Sequence, residues 1–272
     1  MGAFAVVHPF PSALNALLVV GLALVAGATV GTAGTLGIAM LGIQFAIGAV
    51  NDLVDAPADA LVKPSKPLVT GAVSARTAAT VAAATATAGL SIAAVYGPIV
   101  LALMLGMLGA GLAYDLVLKR TALAGMAFAV AFALLPVYVW WAVAGTLPPR
   151  PELLLPVAAL AGPTLQLANG LVDLERDALT GVRGPVVLLG RRRSVIALIL
   201  LEIIVHGLAI ATLVVGSAES SLTIGAVVVA GAIAASGLAL SAERRVRARE
   251  LGWRAQALAI ALLGIGWTLS VS

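Results

Sequence analysis

Two acidic segments of this chain follow the same pattern. Residues 51–59 read NDLVDAPAD and residues 169–177 read NGLVDLERD, so both fit N-x-L-V-D-x-x-x-D. Together they hold six of the twelve Asp and Glu residues, three in each segment. Side chains four residues apart on a helix point in nearly the same direction. The Asn and the two spaced Asp residues of each segment are therefore predicted to share one helix face.

These clustered carboxylates predict a metal site. Acidic groups near a region of low dielectric constant repel one another unless a cation binds between them. Carboxylate and amide oxygens suit Mg²⁺, which commonly binds through one or two carboxylates and the phosphates of a substrate. We expect two facing sets of ligands that hold Mg²⁺ and bridge a diphosphate. The predicted metal ligands are Asn51, Asp55, Asp59, Asn169, Asp173 and Asp177.

Basic side chains near both segments could hold the diphosphate. Lys63 and Lys66 follow the first segment, Arg183 follows the second, and Tyr114 and Lys119 lie at the end of the fourth apolar run. Lys and Arg beside a metal-bound diphosphate would bind its oxygens and stabilise the charge of the leaving group. The alternative for the lysines is a topology signal, because basic residues commonly follow a membrane span.

The two segments differ in the local structure that they predict. Pro57 cannot sit inside a straight helix, so we expect the first helix to kink or end there and Asp59 to lie on the following loop. The second segment has no proline and should stay helical until Gly181. Asp52 and Glu175 fit either a role in the site or ordinary solvated acids at a helix end.

The elements that position these residues must be membrane helices. The chain is 61% hydrophobic and 10% charged, with a mean hydropathy of +1.11, whereas soluble domains carry about 25% charged residues. Spans must be helices or a closed barrel, and the long runs of Ala, Leu, Val, Ile and Gly favour helices. The chain has no cysteine, which excludes disulfides, thiolate metal sites and a cysteine nucleophile.

Apolar runs between polar breaks predict nine spans in one all-α domain over residues 1–272. A span needs roughly 20 apolar residues, and the first run is taken as a span rather than a signal peptide. The predicted spans are residues 11–30, 34–50, 75–96, 98–113, 123–144, 153–170, 194–215, 222–240 and 255–271.

The basic residues predict the orientation of these spans. Fifteen of the 16 Lys and Arg residues follow even-numbered spans, and only Arg150 lies on the other side. The positive-inside rule makes the basic side cytoplasmic, so the N-terminus is predicted inside and the C-terminus outside. This placement argues against nucleic acid as a partner, although the isoelectric point is near 10. The cluster at residues 244–254 is interpreted as a topology and lipid-headgroup anchor.

The chain resembles the UbiA superfamily of intramembrane prenyltransferases over essentially its whole length. The two acidic segments are similar to the family's paired aspartate-rich motifs. Lys66-Pro67-Leu68 resembles the basic segment after the first motif, and the stretch from Tyr114 to Lys119-Arg120 resembles the family's second cytoplasmic loop. The opening His8-Pro9-Phe10-Pro11, with Asn15 in the first span, is also similar to the start of the family.

This resemblance implies a fold and an activity. The fold would be a polytopic bundle of nine transmembrane helices around a central cavity with a cytoplasmic polar cap. The activity would be Mg²⁺-dependent transfer of a prenyl group from an isoprenoid diphosphate donor to a lipophilic, usually aromatic, acceptor. Catalytic roles fall to Asp55, Asp173, Lys119 and Tyr114, and substrate binding to Asn51, Lys63, Lys66, Lys119, Arg183, Asn169, Gln166, Asn15 and Gln44, the last of which lies seven residues before Asn51.

Two departures from the family pattern keep a second activity open. Gln166 stands where many members with aromatic acceptors carry an acid, and the spacing from Tyr114 to Lys119 is one residue longer than in ubiquinone-type members. A membrane terpene cyclase of the same superfamily, which needs no acceptor, is therefore the first alternative. A cation transporter is a distant one, because transporter repeats are often inverted around the bilayer midplane, whereas these segments are parallel and stand beside lysines.

Two further groups receive structural interpretations. Glu202 and His206 are four residues apart within the seventh span, where a mutually satisfied pair is favoured over a functional site. Tyr138, Trp140 and Trp141 close the fifth span. They are interpreted as an interfacial aromatic belt.

Overall fold

A computed structural model describes residues 8–215 and 221–271 of the chain. Within these ranges the secondary structure is helical, with no strand. The α-helices are α1 (Pro9–Val25), α2 (Val30–Val62), α3 (Ala75–Val95), α4 (Pro98–Leu116), α5 (Ala124–Ala144), α6 (Pro151–Leu179), α7 (Pro185–Val215), α8 (Ser221–Ser241) and α9 (Val246–Val271), and a short 3₁₀ turn covers Leu118–Arg120.

Helices α2 to α8 are each long and apolar enough to cross a membrane. Helix α1 is shorter, with 17 residues, and the first turns of α9 carry Arg247, Arg249 and Arg254. The prediction of an all-α polytopic membrane protein is therefore confirmed, and seven of the predicted spans meet the length and composition of a membrane helix in the described ranges.

Neighbouring helices along the chain pack against one another, and α9 closes the bundle. Helix α9 packs on α8, α6 and α1, while α2 packs on α1, α3 and α4. Glycine allows two of these helix pairs to approach closely. A Cβ at Gly162 of α6 would lie 2.4 Å from the backbone of Phe128 in α5, and one at Gly42 of α2 would lie 2.7 Å from the Thr85 carbonyl oxygen in α3. Small residues at such crossings bring backbones together, which fixes the two helices that carry the acidic segments.

The acidic segments lie on helices rather than in loops. Helix α2 continues through Pro57 to Val62, so the prediction that Asp59 leaves the helix is wrong. Proline removes one backbone hydrogen bond, and a helix can continue beyond it at that cost. Helix α6 ends at Leu179, just before Gly181 in the left-handed region (φ 74°), as the sequence predicts. Helix α7 begins nine residues before the predicted span and is broken at Gly190, where φ is 71°.

Two members of the predicted aromatic belt lie inside the bundle instead. Tyr138 and Trp140 are buried among apolar side chains of the core, and the Tyr138 hydroxyl donates to the Leu36 carbonyl oxygen at 3.4 Å. The interpretation as an interfacial belt is therefore wrong for these two residues. Their helix is apolar on every side, so the sequence does not mark which face turns to lipid and which to neighbouring helices.

Candidate functional site

The acidic segments line one cavity of about 1330 Å³, bounded by the polar ends of α2, α4 and α6. All six predicted metal ligands border this cavity. So do the predicted substrate-binding side chains, with one exception: they are Asn15, Gln44, Lys63, Lys66, Tyr114, Lys119 and Gln166. The exception is Arg183, which is exposed and does not line the cavity although Val182 and Gly184 do. Since the residues on both sides of Arg183 border the cavity, its role in substrate binding stays a prediction.

The first acidic segment is joined to the end of α4. The Lys119 ammonium donates to Asp55 Oδ1 at 2.6 Å, and the Asn51 amide donates to Asp115 Oδ1 at 2.7 Å. Asp115 is buried, with 1% exposure. Sequence reasoning did not assign it a role, although its position directly after Tyr114 was a usable signal. The Asn51 side chain is thus held by α4, and its amide oxygen remains available to a ligand.

Lys66 forms salt bridges with acids near both ends of the first segment. Its ammonium lies 2.6 Å from Asp52 Oδ1 and 2.8 Å from Asp59 Oδ2, and His8 Nε2 lies 3.0 Å from the same Asp52 oxygen. Burial acts to lower the pKa of Lys66, but hydrogen bonds and attraction to the two carboxylates outweigh it and raise the pKa above its ordinary value. Lys66 is therefore charged at neutral pH. Asp52 is buried at 3% exposure, so it is a paired acid rather than a solvated one.

The second acidic segment contains its own cation. The Arg176 guanidinium contacts Asp173 through Nη2, and its Nε lies 3.8 Å from Asp177 Oδ1. All three side chains are partly exposed to the cavity. Sequence reasoning missed Arg176, even though its position between two spaced acids marks it. The placement gives α6 a cation beside its carboxylates, as Lys119 does for Asp55.

Glu175, in the same segment, is bound by arginines outside it. Arg191 donates through Nη2 to Glu175 Oε1 at 2.5 Å, and Arg249 donates to Oε2. The Arg249 side chain is fully buried. The interpretation of residues 244–254 as a lipid-headgroup anchor is therefore wrong for Arg249, because a buried guanidinium serves the protein interior.

Deeper in the cavity the polar groups are uncharged. Asn15, Gln44 and Gln166 border it from α1, α2 and α6, and Gln166 is 5% exposed. The Tyr114 ring packs edge-on against Phe128, with centroids 5.0 Å apart. The cavity thus has a charged rim formed by the acidic segments and an amide-lined, partly aromatic interior.

The residues of the rim fit Mg²⁺ only in company with a substrate. Within residues 8–215 and 221–271, no three acidic or histidine side chains come close enough together to hold a metal ion on their own. Mg²⁺ usually keeps several waters and takes one or two carboxylates plus substrate phosphates. Asp55, Asp59 and Asp173 each pair with a cation through only one carboxylate oxygen. The second oxygen of each acid, together with Asp177, Asn51 and Asn169, is therefore suited to the ion.

Glu202 and His206 lie away from this cavity. His206 Nδ1 is 3.0 Å from Glu202 Oε2, and Glu202 is 3% exposed. Neither residue lines the cavity. The two side chains are therefore close, as the sequence predicts, but Glu202 Oε1 and His206 Nε2 are buried without a hydrogen-bond partner in the described residues, so the pair is not fully satisfied.

The all-helical fold and the paired acidic helices define a class of intramembrane enzymes. The chain matches the UbiA prenyltransferase family over residues 12–263 and belongs to that family. No curated protein matches the chain.

Solved structures share the fold. A UbiA homologue from Archaeoglobus fulgidus, bound to DMAPP and Mg²⁺, is 21% identical, with a TM-score of 0.73 over 97% of this chain and 98% of that one. An apo UbiA homologue from Aeropyrum pernix K1 is 18% identical, with a TM-score of 0.78 over 94% and 96%. A digeranylgeranylglyceryl phosphate synthase structure is 12% identical, with a TM-score of 0.68 over 99% and 97%.

Proposed function

We propose that this chain is a Mg²⁺-dependent intramembrane prenyltransferase, which transfers a prenyl group from an isoprenoid diphosphate to a lipophilic acceptor, in the leading version an aromatic one. The observation that carries the proposal is the placement of Asp55 on α2 and Asp173 and Asp177 on α6 around one cavity within a membrane bundle. Membership of the UbiA prenyltransferase family and its relatives with bound DMAPP or GPP and Mg²⁺ support it.

The charged rim would bind the donor's diphosphate. Asp55, Asp173 and Asp177, with Asn169, would hold Mg²⁺, which supplies neutralising charge to the diphosphate oxygens. Lys119 and Arg176 stand beside these carboxylates and would bind the remaining oxygens, because charge-assisted hydrogen bonds to phosphate are strong. As the carbon–oxygen bond breaks, the electron pair leaves with the diphosphate, where these groups stabilise it.

The interior of the cavity would receive the reacting carbon and the acceptor. The allylic carbocation needs surroundings with little water, and the acceptor closes the new bond and gives up one proton. Asn15, Gln44 and Gln166 offer hydrogen bonds to a neutral acceptor, while Tyr114 presents its ring to the same space. The departing diphosphate is a base formed in the same step, so the proton would pass to it.

The orientation in the membrane belongs to the same proposal. The basic connections would face the cytoplasm, with the N-terminus inside and the C-terminus outside. Reporter tags after Arg120 and in the α8–α9 connection at residues 242–245 would then report a cytoplasmic location, and one in the segment 145–150 an external one. An external signal after Arg120 would overturn this orientation. The connection around Ser217, predicted to be external, lies outside the described residues.

A membrane terpene cyclase remains the second candidate because of Gln166. This buried amide borders the cavity where an acid could deprotonate a phenolic acceptor. A cyclase would use the same diphosphate rim but quench the cation within the prenyl chain.

One experiment separates these activities. The purified chain in lipid nanodiscs is incubated with dimethylallyl, geranyl, farnesyl and geranylgeranyl diphosphates, with Mg²⁺ or with EDTA, and with or without aromatic and glycerol-based acceptors. Released diphosphate and lipid products are measured. If the chain is a prenyltransferase, we expect Mg²⁺-dependent products that contain both the prenyl group of the donor and the acceptor. Cyclic products without an acceptor support the cyclase, and diphosphate release in excess EDTA would overturn the metal site.

A further inference from the structure

The Glu175 carboxylate forms salt bridges with two arginines. It lies two residues after Asp173, and two residues on a helix differ in direction by about 200°, so the two acids leave α6 in different directions although both border the cavity. Arg191 and Arg249 each contact one of its oxygens. We call Arg191, Glu175 and Arg249 the arginine clamp.

Burial makes Arg249 depend on this carboxylate. Its side chain is fully buried, and Nη1 donates to the Arg244 carbonyl oxygen at 2.8 Å, while Nη2 lies 3.5 Å from the Val172 carbonyl oxygen of α6. Removing a charge from water is costly unless an opposite charge lies beside it. Glu175 supplies that charge. Arg249 therefore contacts α6 through the Glu175 side chain and through the Val172 backbone carbonyl.

The clamp joins three parts of the chain. Arg191 directly follows the break of α7 at Gly190 and donates through Nη1 to the Glu243 carbonyl oxygen at 2.6 Å. Glu243 and Arg244 lie in the connection between α8 and α9. The last turns of α6 are therefore tied to the start of the long part of α7 and to the α8–α9 connection.

We propose that the arginine clamp is a positioning device, which holds the end of α6 in the rotation that turns Asp173 and Asp177 toward the cavity. The proposal rests on the proposed function, since it assigns these acids to a metal site. Side-chain ends lie about 5–6 Å from a helix axis, so a turn of about 20° moves a carboxylate by about 2 Å. Mg²⁺ requires ligands at about 2.0–2.1 Å in near-octahedral geometry, and such a displacement removes a ligand.

A distance measurement tests the positioning directly. The chain has no cysteine, so nitroxide labels can be attached to Leu61→Cys on α2 and Leu179→Cys on α6, where the native side chains are 78% and 80% exposed. Pulsed EPR on the purified full-length chain then gives the distance between the two helix ends. In Glu175→Gln and Arg191→Gln this distance distribution should shift or broaden.

The choice of variants keeps the test interpretable. Arg191→Gln leaves the pair between Glu175 and Arg249 in place and changes a partly exposed side chain, so it folds even if Glu175→Gln does not. The matched control is Glu250→Gln, which removes a carboxylate whose partner Arg254 lies on its own helix. The control should leave the distance distribution unchanged.

Metal binding supplies the second measurement. Mn²⁺ is used as the probe, and its free concentration is read by EPR during titration of each variant in the presence of a non-cleavable prenyl thiodiphosphate, because the rim fits the ion only together with substrate phosphates. Residues that orient metal ligands typically change metal affinity by about 10- to 100-fold, so Glu175→Gln and Arg191→Gln should weaken Mn²⁺ binding within that range. Unchanged distances and unchanged affinity in both variants would overturn the clamp. A loss of affinity confined to Glu175→Gln, with Arg191→Gln unchanged in both measurements, would also overturn it, because Glu175 would then be a ligand itself.

Neither measurement needs turnover. If no donor diphosphate is cleaved, the proposed function fails, while the label distances still decide whether the clamp positions α6.

Discussion

Lys119 Nζ lies 2.6 Å from Asp55 Oδ1, although 64 residues separate them in the chain. The contact brings the end of α4 to the acidic segment of α2, at the rim of the cavity. The Lys119 side chain is only 10% exposed, so its charge is directed to this rim rather than to bulk water. A lysine that served topology alone would have no reason to be buried beside a carboxylate.

Replacing either rim lysine should slow turnover. Lys119→Gln and Lys66→Gln would each remove a charge-assisted hydrogen bond to the donor's diphosphate, which is worth about 1.5–3 kcal/mol. Each 1.36 kcal/mol of barrier changes a rate about tenfold. Diphosphate release should fall by roughly ten- to a hundredfold, measured at saturating Mg²⁺. Arg247→Gln removes a charge from an exposed side chain with no ion pair in the described ranges and should change little. Equal rates in all three variants would make the lysines topology signals.

The carboxylates themselves should be more sensitive. Asp55→Asn and Asp173→Asn keep the shape of each side chain but remove the negative charge that the metal needs. Loss of one preorganised electrostatic group costs on the order of a hundredfold or more in rate, so diphosphate release should fall by at least this amount at every Mg²⁺ concentration. Elution as a single species from size exclusion verifies folding, and the control is Glu152→Gln at the opposite end of α6. Near-normal rates in both Asp variants would refute the paired site.

The helix crossing at Gly162 should govern stability. An added Cβ there meets the Phe128 backbone at 2.4 Å, and overpacking of this kind typically costs about 1–3 kcal/mol. Gly162→Ala should lower the melting temperature in detergent and separate α6 from α5. Gly109→Ala is the matched control, because a Cβ at Gly109 has no neighbour within 4 Å. If the two variants melt alike, the close crossing does not contribute to stability.

The Lys66 ion pairs should give a defined pH dependence. The raised pKa of Lys66 means that its stabilising contribution is fully present below its ordinary pKa, about 10.4, and is lost only as the pH rises through the higher folded value. The difference in melting temperature between the native chain and Lys66→Gln should therefore be constant from pH 7 to 9 and shrink above about pH 10.5. Lys63→Gln, which loses no ion pair in the described part of the chain, should show no such difference. A difference that already fades between pH 7 and 9 would contradict the raised pKa.

Hydropathy was sufficient to predict the helices, and spacing was sufficient to place the acidic segments where they border one cavity. Long apolar runs can bury their backbone groups only as helices in lipid, and the repeated spacing aligned Asp173 with Asp177 on α6. Both features depend on local sequence alone, which explains why they were predictable.

Features that depend on contacts between distant residues were not predictable. Arg249 has the same sequence context as its exposed neighbours, and only the fold places it beside Glu175, 74 residues away. Tyr138 looked interfacial because its helix has no distinct polar face. Arg183 follows the second acidic segment closely in sequence, but its side chain is exposed and does not border the cavity in the described structure.

The ion pairs of the described residues also fall into two groups that follow the order in which the chain is synthesised. Every pair formed by the first acidic segment uses a partner made before residue 120, and Asp173, Glu175 and Asp177 pair only with arginines of the second half. No ion pair in the described ranges joins one half to the other. Each half of the chain can therefore form its own ion pairs without the other, so α2 need not wait for α6 to pair its acidic segment. Docking of the two halves then creates the cavity without first having to break or exchange a salt bridge.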